Sequence, residues 1–177
     1  NVVVGAFVTQ FIIVGMLFTY GVLMTELEKE FGWSRTVLSS IGAAGWLAWG
    51  IFAIPGGYLN DRLGPKIVLG VNGFIFGIGF ILFSKSSEVW HLFLIFIFFI
   101  GTGLSTHDIS TLSTIAKWFE SKRGLVTSIA KIGTAMGQMV MPPLIAFLIV
   151  SYEWRMATFY LGIAASIGLV FAASLMS

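Results

Sequence analysis

Three ionisable side chains stand where charge is least expected in this sequence. His107 and Asp108 are adjacent in His91 to Ala116, a stretch otherwise built from apolar and hydroxyl residues and glycine. Lys131 is the only charge between Gly124 and Val150. Each such group costs about 2.5–3.5 kcal/mol at the centre of a membrane helix, so it normally faces a cavity or a partner. Asp108 lies about eight residues before one segment ends, and Lys131 about seven after the next begins. At about 1.5 Å per residue both sit roughly 11 Å from the same mouth, which makes them candidates for an ion pair at one depth. Thr127, Lys131, Thr134 and Gln138 follow at helical spacing and form one polar stripe. Gly133 and Gly137 fall on the other side as a small-residue packing face. Thr111 projects between His107 and Asp108.

This constellation admits three readings. Asp108 and Lys131 form a static bridge that locks two helices. Or Lys131 holds a carboxylate while Asp108 or His107 carries a coupled proton. Or both groups snorkel to the mouth. An intramembrane hydrolase built from Ser105, His107 and Asp108 is a poor fit, because neighbours on one helix diverge by about 100° and form no triad. With no cysteine and no cluster of metal-ligand type, no catalytic residue, metal site or cofactor is expected.

The elements that carry these groups are membrane spans. Charged residues make up 10% of the 177-residue chain and hydrophobic ones 57%, with a mean hydropathy of +0.95. A soluble domain carries about 25% charge, so the lipid bilayer is the solvent here. The net charge of +2 and the absence of a basic stripe exclude nucleic acid as a partner. Six apolar segments of spanning length follow in order: Val2 to Thr25, Thr36 to Leu59, Ile67 to Phe83, His91 to Ala116, Gly124 to Val150 and Met156 to Ser177. The expected class is an all-α membrane protein with six transmembrane helices and both termini on one side.

Polar loops separate the segments. Glu26 to Arg35 is an amphiphilic loop, with Ser34 placed to cap the second span. Ser84 to Trp90 is a short loop, and His91 is expected as an exposed boundary residue. Lys117 to Arg123 and the minimal Ser151 to Arg155 follow. In the first span, Gln10 suits either a helix–helix hydrogen bond or a pore lining. Thr9 and Tyr20 share a face about three turns apart. The loops at 57–66 and 117–123 hold five lysines and arginines against four in the other loops, too small a bias to orient the chain.

The densest polar run is Gly57-Tyr58-Leu59-Asn60-Asp61-Arg62-Leu63-Gly64-Pro65-Lys66. Its pattern, between two spans, resembles the loop between helices two and three of the major facilitator superfamily. Leu112 to Phe119 with Lys122-Arg123-Gly124-Leu125 resembles the loop between helices four and five of the monocarboxylate-porter branch. Ile129 to Gln138, followed by Pro142-Pro143 and Trp154-Arg155, resembles its fifth helix and exit. Tyr20-Gly21-Val22 with Glu30-Phe31-Gly32-Trp33-Ser34-Arg35 resembles bacterial members of that branch.

This resemblance covers nearly the whole chain and implies the amino-terminal lobe of such a porter. It implies a 3+3 inverted repeat (about 1–84 and 90–177), with the second six-helix lobe absent from this chain. The chain begins and ends on apolar runs, and a fragment of a longer protein is expected. The implied function is secondary active, proton-coupled symport or exchange of a small organic anion such as a monocarboxylate, by alternating access. Lys131, Thr134, Gln138, Tyr20 and Gln10 are the candidate substrate-binding residues, and Asp108 and His107 the candidates for proton coupling. Gly57, Asp61, Arg62, Gly64, Pro65, Lys66 and Arg123 form the gate motif, with Asp61 bracing the closed gate against the other lobe. The resemblance also implies a plasma (inner) membrane location with cytoplasmic termini. The different-class alternative is a sensor or scaffold of the same fold that transports nothing.

Overall fold

The computed structural model describes residues 1–119 and 121–176. Glu120, inside the expected 117–123 loop, and Ser177, the end of the expected sixth span, lie outside the described residues. Helix α1 (Val2–Phe31) runs past Thr25, because the stretch expected as a loop stays helical to a left-handed cap at Gly32 (φ 67°). Leu27 is fully buried there, and Glu26–Lys29 and Glu28–Arg35 pair on the outer surface at 2.7 and 2.9 Å. The Ser34 hydroxyl accepts from the Val37 amide at 3.3 Å and opens α2 (Arg35–Leu63).

The ten-residue polar turn contracts to a single hinge. Helix α2 continues through Asp61 and Arg62 to Leu63, and α3 (Pro65–Phe83) starts immediately after Gly64 (φ 84°). Glycine tolerates that angle, and Pro65 suits a first helical turn, where an amide hydrogen has no partner. Helix α4 (Val89–Trp118) contains a π-helical segment at Phe96–Ile100 that the sequence does not announce. Helix α5 (Arg123–Ser174) spans 52 residues. At about 1.5 Å per residue that is more than twice a bilayer's hydrocarbon thickness, so it cannot be one crossing.

The break is at Glu153 (φ 64°, ψ 159°), within the expected minimal loop. Contacts show the reversal. Along α1, Phe7, Phe11 and Gly15 meet Gly133, Gly137 and Met141 in the same order, so α1 and the first arm of α5 are parallel. Gly5 meets Ala172 and Ile12 meets Gly168, in descending order, so the second arm is antiparallel to α1. The five helices therefore make six spans. Gly70, Gly73 and Gly77 of α3 likewise pack against Ala173, Leu169 and Ser166 in antiparallel fashion. Helices α2 and α4 are parallel: Gly45, Ala48 and Gly56 face Phe96, Gly101 and Thr106. Val2 and Met176 share one apolar cluster, which places both ends of the described chain on one side.

The close glycine contacts explain the packing. A Cβ at Gly133 or Gly137 would strike the Phe7 or Phe11 carbonyl oxygen. Membrane helices lack a hydrophobic drive toward one another and associate through such close backbone approach. The apolar interior falls into two clusters. The larger, rich in phenylalanine, includes Ile13, Phe76, Phe83, Phe96, Leu104 and Trp154. The smaller holds Ala6, Leu69, Ile115, Val126, Ala130 and Ala173. Between them, along α1, α4 and the first arm of α5, lies a polar layer.

Candidate functional site

Gln10, His107, Asp108, Thr111, Lys131 and Thr134 meet in that layer. Lys131 Nζ donates to Asp108 Oδ1 at 2.5 Å, joining two residues that the sequence placed at one depth. Gln10 Nε2 donates to the same Oδ1 at 2.7 Å and to Thr111 Oγ1 at 3.2 Å. Thr134 Oγ1 donates to Gln10 Oε1 at 2.9 Å. The amide of α1 thus ties α4 to α5. Gln10 and Thr111 are fully buried, whereas Asp108 and Lys131 keep 33% and 40% of their side-chain surface open. The snorkelling reading does not hold, since Lys131 stays at the depth of Asp108.

His107 is buried at 3% exposure, with Nδ1 2.6 Å from the Leu104 carbonyl. That contact places a hydrogen on Nδ1, because a carbonyl can only accept. Its Nε2 lies 3.7 Å from Asp108 Oδ1, and the Trp49 ring of α2 packs at 6.1 Å. Every strong donor therefore converges on Oδ1. Among the described residues Oδ2 has no hydrogen-bond partner, and it is not one of the buried unpartnered oxygens, of which Thr106 Oγ1 is the single case.

The other candidates sit apart. Gln138 is partly exposed, seven residues or about 10 Å along the stripe from Lys131, and bonds to no described residue. Tyr20 lies about 15 Å along α1 from Gln10. Its hydroxyl donates to the Leu38 carbonyl at 2.7 Å, and its ring packs 4.5 Å from that of Phe96. Of the gate motif, Gly57 faces Ile109 of α4, and Asp61, Arg62, Lys66 and Arg123 are exposed. Arg62 lies over the Tyr58 ring at 4.5 Å, and Asp61 bonds to no described residue. Gly64 and Pro65 make the hinge itself.

One polar residue in the motif escaped the sequence reading. Asn60 is 1% exposed, accepts from Ser110 Oγ at 2.8 Å and donates to Ser113 Oγ at 3.3 Å. It fastens the last turn of α2 to α4 two residues from Asp108. The one available signal was the pair Ser110 and Ser113, two hydroxyls one turn apart that need a polar partner. His91 is half-buried at its boundary rather than exposed: its Nδ1 accepts from the Ser87 amide at 3.4 Å, and Trp90 lies against its ring.

At the opposite mouth a second ionic group closes the bundle. Arg155 donates to Glu30 Oε1 at 2.9 Å and to the Ser84 and Ser86 carbonyls at 3.0 Å each. Trp154 Nε1 donates to Glu30 Oε2.

Six spans with a partly open ion pair in a polar layer define a multi-pass integral membrane protein. The family model described as Major Facilitator Superfamily matches residues 6–177. The chain belongs to the Major Facilitator Superfamily. It is 28% identical to Monocarboxylate transporter 13 of Rattus norvegicus over 155 residues, 87% of this chain and 36% of that protein. It is 29% identical to Agnestins efflux protein AgnL12 of Paecilomyces divaricatus over 169 residues, 89% and 38% of the two. Monocarboxylate transporter 14 of Mus musculus is 27% identical over 177 residues, 98% and 34%. The chain thus spans little more than a third of the length of these relatives. Its membership in a family of transporters sets an enzyme aside.

Proposed function

We propose that this chain is the amino-terminal lobe of a secondary active transporter that moves a small organic anion of the monocarboxylate kind with protons. Two three-span repeats, about 1–84 and 90–177, compose the lobe. A second lobe of similar build completes the translocation path, and the termini face the cytoplasm across the plasma (inner) membrane. The observation that carries this reading is the half-open Lys131–Asp108 pair, set between two apolar clusters.

The chemistry follows from charge balance. While Asp108 is anionic it neutralises Lys131, and an incoming carboxylate meets no net attraction. A proton on Asp108 weakens that contact and frees the ammonium to bind the anion, with Gln138 on the same stripe, while the Thr134 hydroxyl would have to leave Gln10 to join it. Release of the anion and the proton on the far side restores the pair. Proton and anion therefore travel together. His107 is the less suited carrier, since its ring is buried away from the open face. The exposed Asp61 is available to the second lobe as a brace for the closed gate, and the Gly64 hinge lets α2 and α3 tilt relative to one another.

The test is uptake of radiolabelled pyruvate into proteoliposomes containing the full-length protein, with and without an inward proton gradient. Gradient-driven uptake that Lys131→Ala abolishes and Lys131→Arg partly retains is expected. Unchanged affinity in Lys131→Ala would remove Lys131 from the site. A protein that moves no carboxylate under any gradient would favour the sensor or scaffold reading.

A further inference from the structure

The Gln10 amide has no hydrogen left to donate to an anionic substrate. Both of its N–H groups are spent, on Asp108 Oδ1 and Thr111 Oγ1, and its oxygen accepts from Thr134. The orientation of this amide is set by chemistry. Thr111 Oγ1 lies 2.6 Å from the His107 carbonyl, which must accept the single hydroxyl hydrogen. The Thr111 oxygen can then only accept, so the Gln10 atom facing it must be nitrogen. The neighbouring Asp108 oxygen makes the same demand. A flipped amide would set the oxygen of the buried Gln10 against two acceptors.

We infer that Gln10 is a positioning residue rather than a ligand: its amide anchors Asp108 through Oδ1 and so directs the incoming proton to Oδ2. This rests on the reading of Asp108 as the proton carrier. A proton on Oδ1 would point into the Gln10 and Lys131 hydrogens, whereas Oδ2 meets no donor. The proton moves from water on the open face to Oδ2, and no other bond is made or broken. Oδ1 then becomes a neutral carbonyl oxygen that still accepts from Gln10 but holds an ammonium weakly. Lys131 is released while the carboxyl group stays in place. Without the anchor, the carboxyl would rotate and follow the lysine.

The groups facing Asp108 are few. Lys131 comes from α5 and His107 from α4 itself. From α1 comes the neutral Gln10, and α2 adds only the Trp49 indole beside His107. The sole charge on α3 is Lys66, in its first turn. A pH effect at Asp108 is thus readable against a short list.

Infrared difference spectroscopy of the reconstituted full-length protein, titrated over about pH 2–9, reads Asp108 without needing a substrate. The carboxylic C=O band missing from Asp108→Asn belongs to this residue. Removing a donor that favours the anion should move its midpoint to higher pH, by about one unit or tenfold in proton affinity, in Gln10→Met. Thr111→Val should move it the same way by less, and Thr111→Ser should match the parent. If Gln10→Met does not fold, Thr111→Val against Thr111→Ser carries the test alone. A folded Gln10→Met, or failing that Thr111→Val, with the parent midpoint overturns the role of Gln10. So does an Asp108 that never titrates. A titrating Asp108 that responds to Gln10→Met in a protein without proton-driven uptake would overturn the transport reading and leave this one standing.

Discussion

The two ionic groups that join distant parts of this bundle differ in saturation, not in exposure. Arg155 and Glu30 keep 34% and 40% of their side-chain surface open, and Lys131 and Asp108 keep 40% and 33%. Yet both Glu30 oxygens are occupied, by Arg155 and Trp154, and the guanidinium also holds two loop carbonyls. It lies 4.5 Å from the Trp154 ring besides. That group pins the end of α1, the α3–α4 connection and the break in α5. At the other site both donors crowd one oxygen of Asp108, and Lys131 uses one hydrogen of three. A saturated pair has no site left for another partner. The unsaturated one leaves Oδ2 and two ammonium hydrogens without a partner among the described residues.

The sharpest way to break this comparison is to exchange charges within each pair. Asp108→Lys with Lys131→Asp should abolish uptake, a loss of at least about a hundredfold by analogy with removal of a charged binding partner. The corresponding Glu30→Arg with Arg155→Glu should leave substrate affinity within about twofold. Equal loss of uptake in both exchanged proteins would erase the distinction. Next in size, Asp108→Asn with Lys131→Gln should fold, as judged by gel filtration and thermal melting, and fail to transport. If that protein still transports, the pair is only a bridge.

Stability reads the other side of the contrast. Arg155→Ala strips a carboxylate and two carbonyls of their donor at a partly exposed place, and should cost about 1–3 kcal/mol with affinity intact. A thermal midpoint equal to the parent's would show that this group braces nothing. Asp61→Asn should preserve insertion and stability but slow the exchange between inward- and outward-open states, followed by accessibility of a cysteine placed at the exposed Arg62→Cys. The smallest effect belongs to Tyr20→Phe, which loses one hydrogen bond, about 1 kcal/mol. If Tyr20→Phe instead weakens substrate binding, the site extends farther along α1 than the polar layer.

Much of this molecule was legible in the order of its residues. Hydropathy marks spans because lipid offers no partner to backbone or charge, and that constraint is local. The depth match of Asp108 with Lys131 needed only helical rise and a short connection, and the Gly133–Gly137 face needed only helical periodicity. Helix ends were read less well. Polar runs at 26–31 and 57–63 look like loops, yet they remain helical, because Leu27 and Asn60 are held by neighbours distant in sequence.

Which polar groups actually meet was decided by tertiary structure alone. Gln10 is 98 residues from Asp108 and 124 from Thr134, and Trp154 is 124 from Glu30. Nothing in their spacing joins them, because such contacts depend on how α1, α4 and α5 are rotated and stacked. Tyr20 and Gln10 share a helix and read alike as polar residues in a span. One lies among phenylalanines and the other in the charged layer, since the bundle's two apolar clusters divide α1 between them. The sequence by itself determined that a lysine and an aspartate within the spans lie at one depth. Only the packing decided which oxygen of that aspartate is held and which is left open.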